Sequence, residues 1–155
     1  MKQLKNLITK YIDFDDAEWV ELIKYLDVRH YKKGEIILKE GDYCNYVGFV
    51  NKGHFSFYYL KDGVKYIRGF FFENNFISNY PSFLLENKSK FQIEAIVESS
   101  VISINRENLF LLNKEFPKIK ELSNAVVESL YIEISDKFES FLIKTAEERY
   151  IDLLS

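Results

Sequence analysis

All six glycines of this 155-residue chain lie between Gly34 and Gly69, and no other part of the sequence holds one. Within that block Gly34, Gly41, Gly48, Gly53, Gly63 and Gly69 separate short runs rich in Ile, Val, Phe and Tyr. That pattern describes strands that turn back every few residues. Asp62 and Gly63 sit between FSFYYL and VKYIRGFFF, and glycine accepts the positive φ that a type I′ hairpin turn demands. FQIEAIVE and SVISI read as a further strand pair, which extends the all-β region from about Val28 to Ile104. Many short antiparallel strands close most readily as a roll, barrel or sandwich.

The flanks carry a different period. Leu4, Leu7, Ile8, Tyr11 and Ile12 recur at helical spacing, and a second helix is expected from Asp16 to Leu26, opened by a capping box of Asp15 with Glu18. After Ile104, Asn105 is placed to cap a helix with Asn108 at its third position, and LFLLNKEF supplies that helix with apolar residues. Pro117 restarts the count, and from Ile119 to Phe141 neither Gly nor Pro intervenes. Val127, Leu130, Ile134, Phe138 and Phe141 follow one another at spacings of three or four and form one stripe. A helix of about 25 residues runs roughly 37 Å, more than a small roll covers. Part of the stripe therefore needs another partner, and a second copy of the chain meets the need. The fold class is α+β: short N-terminal helices, an antiparallel β-roll and a long C-terminal helix.

Charge and composition exclude several functions. Lys and Arg number 21 against 24 Asp and Glu, a net charge of −3, so no global positive field holds a polyphosphate backbone. Cys44, the one cysteine, has no partner for an internal disulfide and reads as a small inert side chain. The N-terminus lacks the apolar core of a secretory signal, and no run of about 18 apolar residues suggests a membrane span. The expected location is the cytoplasm. A cupin-type metal enzyme would need three or four ligands, and His30 and His54 cannot supply them. No nucleophile elbow, Walker loop or dinucleotide fingerprint is present, so neither a catalytic residue nor a metal site is expected.

The run from Tyr31, YKKGEIILKEGDYCNYVGFVNKGHFSFYY, resembles the signature of the cyclic-nucleotide-binding sensor domain of Crp/Fnr transcription regulators. Gly41 and Gly53 fall on its turn glycines, and Val47, Phe49, Val50, Phe55 and Phe57 on its strands. Asn74, Asn75, Phe76 and Ile77 stand where the family has Gly-Asp-Phe-Ile. The resemblance implies a sensor domain over residues 1–116, with a roll of the double-stranded β-helix, jelly-roll type. It implies a dimerisation helix over 117–143 that pairs with its twin in a homodimer, and a linker from 144 to 155 leading toward DNA-binding structure. Thr145 with Glu148 forms a capping box there, and the helix it opens has no stop signal before Ser155. The expectation is a truncated regulator whose winged helix-turn-helix, its only route to DNA, is absent from this chain.

The family grips a cyclic phosphate with Gly-Glu-Leu and Arg-Ser motifs. At the first motif this chain has Ser78, Asn79 and Tyr80, and near the second it has Lys88, Ser89 and Lys90. With Ser82, these are the candidate ligand residues of a diverged pocket. Lysine lacks the planar fork that pairs an anion bidentately. Losing two charge-assisted hydrogen bonds, each about 1.5 to 3 kcal/mol, weakens binding by roughly 100-fold or more. The expectation is a sensor without a useful cAMP response, with no cofactor and an unidentified small-molecule effector. Phe76, Tyr80, Phe83 and Phe91 either line an aromatic pocket for that effector or fill the core. In the alternative reading Lys88 and Lys90 are solvated charges balanced by Glu86 and Glu94, and the roll is a ligand-free scaffold that binds another protein.

Overall fold

The computed structural model describes residues 1–145 and 147–148. Helices α1 (Lys2–Ile8) and α2 (Asp16–Ile23) precede the strands. Asp15 caps α2 as its sequence predicts: its carboxylate accepts from the Glu18 N–H at 2.8 Å, and the Glu18 carboxylate accepts from the Asp15 N–H at 2.8 Å. Both helices stop three or four residues before the apolar spacing does. The N–H groups of Lys10 and Tyr11 bond back three residues, as do those of Lys24, Tyr25 and Leu26, so each last turn tightens and leaves the α-helical path. Ile12 and Phe14 are still buried, delivered by the turn rather than by the helix.

Strands β1 (Asp27–Tyr31), β2 (Ile36–Leu38), β3 (Tyr46–Lys52), β4 (Phe55–Lys61), β5 (Val64–Phe71) and β6 (Phe76–Ile77) follow. A short helix α3 (Tyr80–Leu85) separates them from β7 (Gln92–Ala95) and β8 (Ser99–Asn105). The strands form two four-stranded antiparallel sheets, ordered β1-β8-β3-β6 and β2-β7-β4-β5. This is the jelly-roll-like β-roll of the α+β fold read from the sequence. The Asp62-Gly63 hairpin forms, with φ of 52° and 77°. One pairing differs from expectation: FQIEAIVE and SVISI do become strands, but β7 joins β2 and β4 while β8 joins β1 and β3. A tight reversal after Ala95 carries the chain from one sheet to the other instead of closing a hairpin.

Strand β3 has apolar neighbours on both faces. Phe49 faces the helices and packs with Leu4, Ile8, Leu22, Leu112 and Ile119, while Val50 faces into the roll with Phe55, Ile77, Phe83 and Ile93. Period-two alternation thus splits one strand between two cores. At the β3–β4 turn, Gly53 has a φ of +86°, and a Cβ there would lie 2.1 Å from Ser99 Oγ. Its N–H donates to Glu73 Oε1 at 2.8 Å.

Asn105 caps α4 (Arg106–Glu115) by accepting from the Asn108 N–H at 2.8 Å. Pro117 opens α5, which runs from Pro117 to Ile143. Its first turns bury Ile119 and Leu122. Farther along, Tyr131, Ile132, Ile134, Phe138, Phe141, Leu142 and Ile143 are all exposed. The capping bonds between Thr145 and Glu148 are both present, at 2.7 and 3.3 Å. The helix expected after them falls mainly on residue 146 and residues 149–155, outside the described residues. Among the described residues no helix is long and apolar enough to cross a membrane.

Candidate functional site

Helix α3 hangs between β6 and β7, and Asn79 controls its start. The Asn79 side-chain carbonyl accepts from the Ser82 N–H at 3.3 Å, and its backbone carbonyl accepts from the Phe83 N–H at 2.8 Å. Pro81, in the same turn, has no N–H to offer. The amide of Asn79 donates to Ser89 Oγ at 2.8 Å, and that hydroxyl donates to the Phe91 carbonyl at 2.7 Å. Ser82 Oγ accepts from the Cys44 N–H at 3.0 Å and donates to the Asn87 carbonyl at 2.5 Å. Asn79, Ser82 and Ser89 are each at most 5% exposed, so these bonds are made away from water.

Of the N–H groups that would face an anion at this helix start, those of Ser82 and Phe83 are therefore already spent on the chain itself and Pro81 has none, which leaves only that of Tyr80. Asn79→Ala removes an N-cap and leaves the Ser82 N–H without its acceptor, a loss of about 1–3 kcal/mol. Urea denaturation is expected to show that loss, and an unchanged midpoint would mean the network is incidental.

A cavity of about 410 Å³ opens beside α3. Ser78, Asn79 and Tyr80 line it, whereas Ser82 and Ser89 lie behind its wall in the hydrogen-bond network. Ser78 Oγ donates to the Tyr46 carbonyl at 2.9 Å and so is also engaged. Lys88 and Lys90 are exposed and do not line the cavity. Their expected counter-charges point elsewhere: Glu86 pairs with Arg106 at 2.6 Å and Glu94 with Lys65 at 2.6 Å. The seven candidates thus divide into three that reach the cavity, two that brace it and two that stand in solvent. Phe76, Tyr80, Phe83 and Phe91 all contribute to the cavity wall, and Val127, Leu130 and Ile134 of α5 line it too.

Two features near the cavity were not legible in the sequence. The first is a column of stacked rings. Tyr80 stacks on Phe83 at 5.9 Å, Phe83 stacks on Phe110 at 6.0 Å, and the Arg106 guanidinium lies 4.6 Å from the centre of the Phe110 ring. Arg106 Nε donates to the Phe83 carbonyl at 3.0 Å, which ties α3 to α4. The second is Arg68. Phe57 pairs with Gly69 and Tyr58 with Ile67, so Arg68 is the extra residue of a β-bulge, a device that re-aims a side chain. Its guanidinium sits 5.7 Å from the Phe57 ring and 5.6 Å from the Phe91 ring, and Nη1 donates to Tyr59 Oη at 3.3 Å. Gly69 permits this: a Cβ there would come within 2.8 Å of the Phe57 ring. The only sequence signal was a cation beside a glycine inside an aromatic strand.

Electrostatics around the roll are otherwise structural. Burial pushes the Tyr58 hydroxyl above its usual range, reinforced by its hydrogen bond to Glu94. Burial also pushes Glu94 up, but the hydrogen bonds from Lys65 and Tyr58 outweigh it and hold the carboxyl below its usual range. Burial raises Tyr46 well above 10.0. Its O–H has no hydrogen-bond partner among the described residues. Cys44 is 2% exposed, and its Sγ accepts from the Asn79 N–H at 3.4 Å beneath residues 78–90, the cassette built around α3. The His54 ring packs edge-on against Phe72. Among the described residues no group of three His, Cys, Asp or Glu stands together to hold a metal ion.

A jelly roll with a short helix set over an apolar cavity and a long helix beyond it is the architecture of a ligand-sensing regulatory domain. The chain belongs to the cyclic nucleotide-binding domain family, whose profile matches residues 28–114, more than half of its length. No curated protein sequence matches the chain. A cyclic nucleotide-binding domain from Methylobacillus flagellatus superposes with a TM-score of 0.80 at 16% identity, covering 93% of this chain and 83% of that one. The catabolite activator protein of Thermus thermophilus gives 0.68 at 16% identity over 84% of this chain. The regulator CLP of Xanthomonas campestris, described as c-di-GMP responsive, gives 0.66 at 17% identity, covering 90% of this chain and 70% of its own. The fold is thus that of Crp/Fnr-type regulators. This chain spans 62% of the Thermus protein's length.

Proposed function

We propose that this chain is the effector-sensing and dimerisation region of a Crp/Fnr-like transcription regulator, and that its cassette does not hold a cyclic phosphate. The observation that carries the reading is the closed start of α3, where Asn79 accepts from the Ser82 and Phe83 N–H groups and Pro81 offers none. The one carboxylate in the cassette, Glu86, is exposed and already paired with Arg106, and its two lysines face solvent. A phosphate entering here would have to displace buried intramolecular bonds, each costing about 1–3 kcal/mol to leave unmade.

The cavity supports a sensor over a ligand-free scaffold. Its volume of about 410 Å³ is within the range of small-molecule sites, and its walls run from the cassette to Val127, Leu130 and Ile134 on α5. An occupant would touch both the roll and the long helix, and it would act through unequal affinity for two arrangements of that helix. The exposed apolar length of α5 is the second half of the device and pairs with its counterpart in a homodimer. DNA reading belongs to a helix-turn-helix outside the described residues.

Calorimetric titration with cAMP and cGMP up to the millimolar range tests the cassette. No saturable heat is expected. Cyclic di-GMP, to which the Xanthomonas campestris regulator is described as responsive, is expected to be silent for the same reason. Saturable binding of any of the three at micromolar concentration would overturn the reading.

A further inference from the structure

We infer that Arg68 makes the cavity a site for a small organic anion: a carboxylate or phosphate carried on a flat, apolar body. The inference rests on the proposal that the cavity takes an effector, and it names that effector's chemistry.

The argument begins with charge. Among the described residues lining the cavity Arg68 is the only charged one, and the remainder are overwhelmingly aliphatic or aromatic. The other polar groups near the cassette are occupied, since Ser78 donates to the Tyr46 carbonyl and Asn79 is committed to Ser82 and Ser89. Arg68 takes part in none of the ion pairs formed among the described residues. A cation without a counter-charge, facing an apolar chamber, fits a ligand that brings the negative charge with it.

Position strengthens the point. Arg68 is exposed, and the bulge turns its guanidinium across Phe57 and Phe91, where Tyr59 Oη accepts from its Nη1. The rings hold the guanidinium plane by cation–π attraction, and one of its five N–H groups is fixed by Tyr59. The free edge keeps the planar fork that pairs a carboxylate or phosphate through two parallel bonds. Phe57, Phe71 and Phe91, with centroids 4.8 and 5.5 Å apart around Phe57, offer faces to a flat body. A cyclic nucleotide also needs a free carboxylate for its ribose hydroxyl, and the one in the cassette, Glu86, is paired with Arg106. The anion is therefore expected at the β4–β5 edge of the roll, away from α3.

The test uses the whole chain, with 2-naphthoate as probe and 2-naphthalenemethanol as its uncharged counterpart. Binding is followed by two-dimensional NMR of the arginine Nε–H groups, the Arg68 signal being the one lost in Arg68→Gln. The expected result has three parts: naphthoate shifts the Arg68 signal, naphthoate binds at least tenfold more tightly than the alcohol, and Arg68→Gln abolishes that preference. Arg68→Lys, which keeps the charge without the fork, is expected to retain only part of it. Equal binding of the two probes by the wild-type chain, or a preference that survives Arg68→Gln, overturns the anion site and leaves the cavity as an effector pocket. Failure of both probes to bind overturns the pocket reading itself. Because Arg68 is exposed, the Gln variant is expected to fold, and unchanged backbone amide shifts check this.

Discussion

Gly53→Ala is expected to be the most damaging alanine substitution among the six glycines, costing on the order of 3 kcal/mol or more. Two costs combine. An L-residue at a φ of +86° meets a left-handed penalty of about 1–2 kcal/mol. The new Cβ would also lie 2.1 Å from Ser99 Oγ and 2.9 Å from the Glu98 carbonyl. Ser99 is 2% exposed, and its Oγ accepts from the His54 N–H and donates to the Val97 carbonyl, so it cannot turn away without leaving part-buried groups unpaired. Orphaning such a group costs about 1–3 kcal/mol. For a domain of this size the sum lowers the melting temperature by roughly 6–12 °C. Gly63→Ala supplies the contrast: φ is +77° but nothing lies within 4 Å, so only the backbone penalty applies. Equal melting points for the two variants would show that packing at the β3–β4 turn is not what holds the sheets together.

That turn also illustrates which parts of the fold were legible. The glycines announced where strands end, because positive φ is a local requirement that one residue type meets. Asp15 and Asn105 announced helix starts for the same reason, as each serves an N–H three residues away. Strand partnership is not local. Nothing in FQIEAIVE and SVISI distinguishes a hairpin from two strands on opposite sheets, since both patterns alternate and both bury apolar faces. The helix ends were misread because the apolar spacing continues through Ile12 and Leu26 after the hydrogen bonds have shortened from four residues to three.

At the site, the sequence pointed to the correct segment but not to what its residues do. Asn79, Ser82 and Ser89 sit where ligand contacts would be expected, yet their polarity serves one another across the cassette. Residue type reports hydrogen-bonding capacity without reporting whether that capacity is already used. Arg68 is the converse case. In the sequence it is one cation among aromatics; in the structure a one-residue register shift between Phe57 and Tyr58 aims it at the cavity. Bulges depend on the pairing of two strands, so this residue becomes conspicuous only once β4 and β5 are in register. Asn74 lies between these cases. It stands where the family has glycine, and it adopts a φ of +68°, a conformation asparagine tolerates better than most residues.

The long helix yields the second large effect: Phe138→Asp together with Ile134→Asp is expected to convert a dimer into monomers of 18.5 kDa. Val127, Leu130, Ile134, Phe138 and Phe141 follow a three-four spacing, the repeat that lets two helices interlock along a seam. The near end of the stripe is half-buried and lines the cavity, whereas Ile134 and Phe138 are 66% and 62% exposed. Apolar surface of that extent on one helix is the mark of an interaction site. Leu130→Asp is expected to dissociate the dimer as well, but it places a charge against the cavity wall and mixes assembly with folding. Ile134 also touches the cavity, but at 66% exposed it, like Phe138, can hold an aspartate in water, which leaves the roll intact. Light scattering is expected to report the monomer mass while the melting transition of the diluted protein stays within a few degrees of the parent. A double variant that keeps the dimer mass would remove the seam from α5 and with it the route by which an occupant of the cavity reaches a second chain.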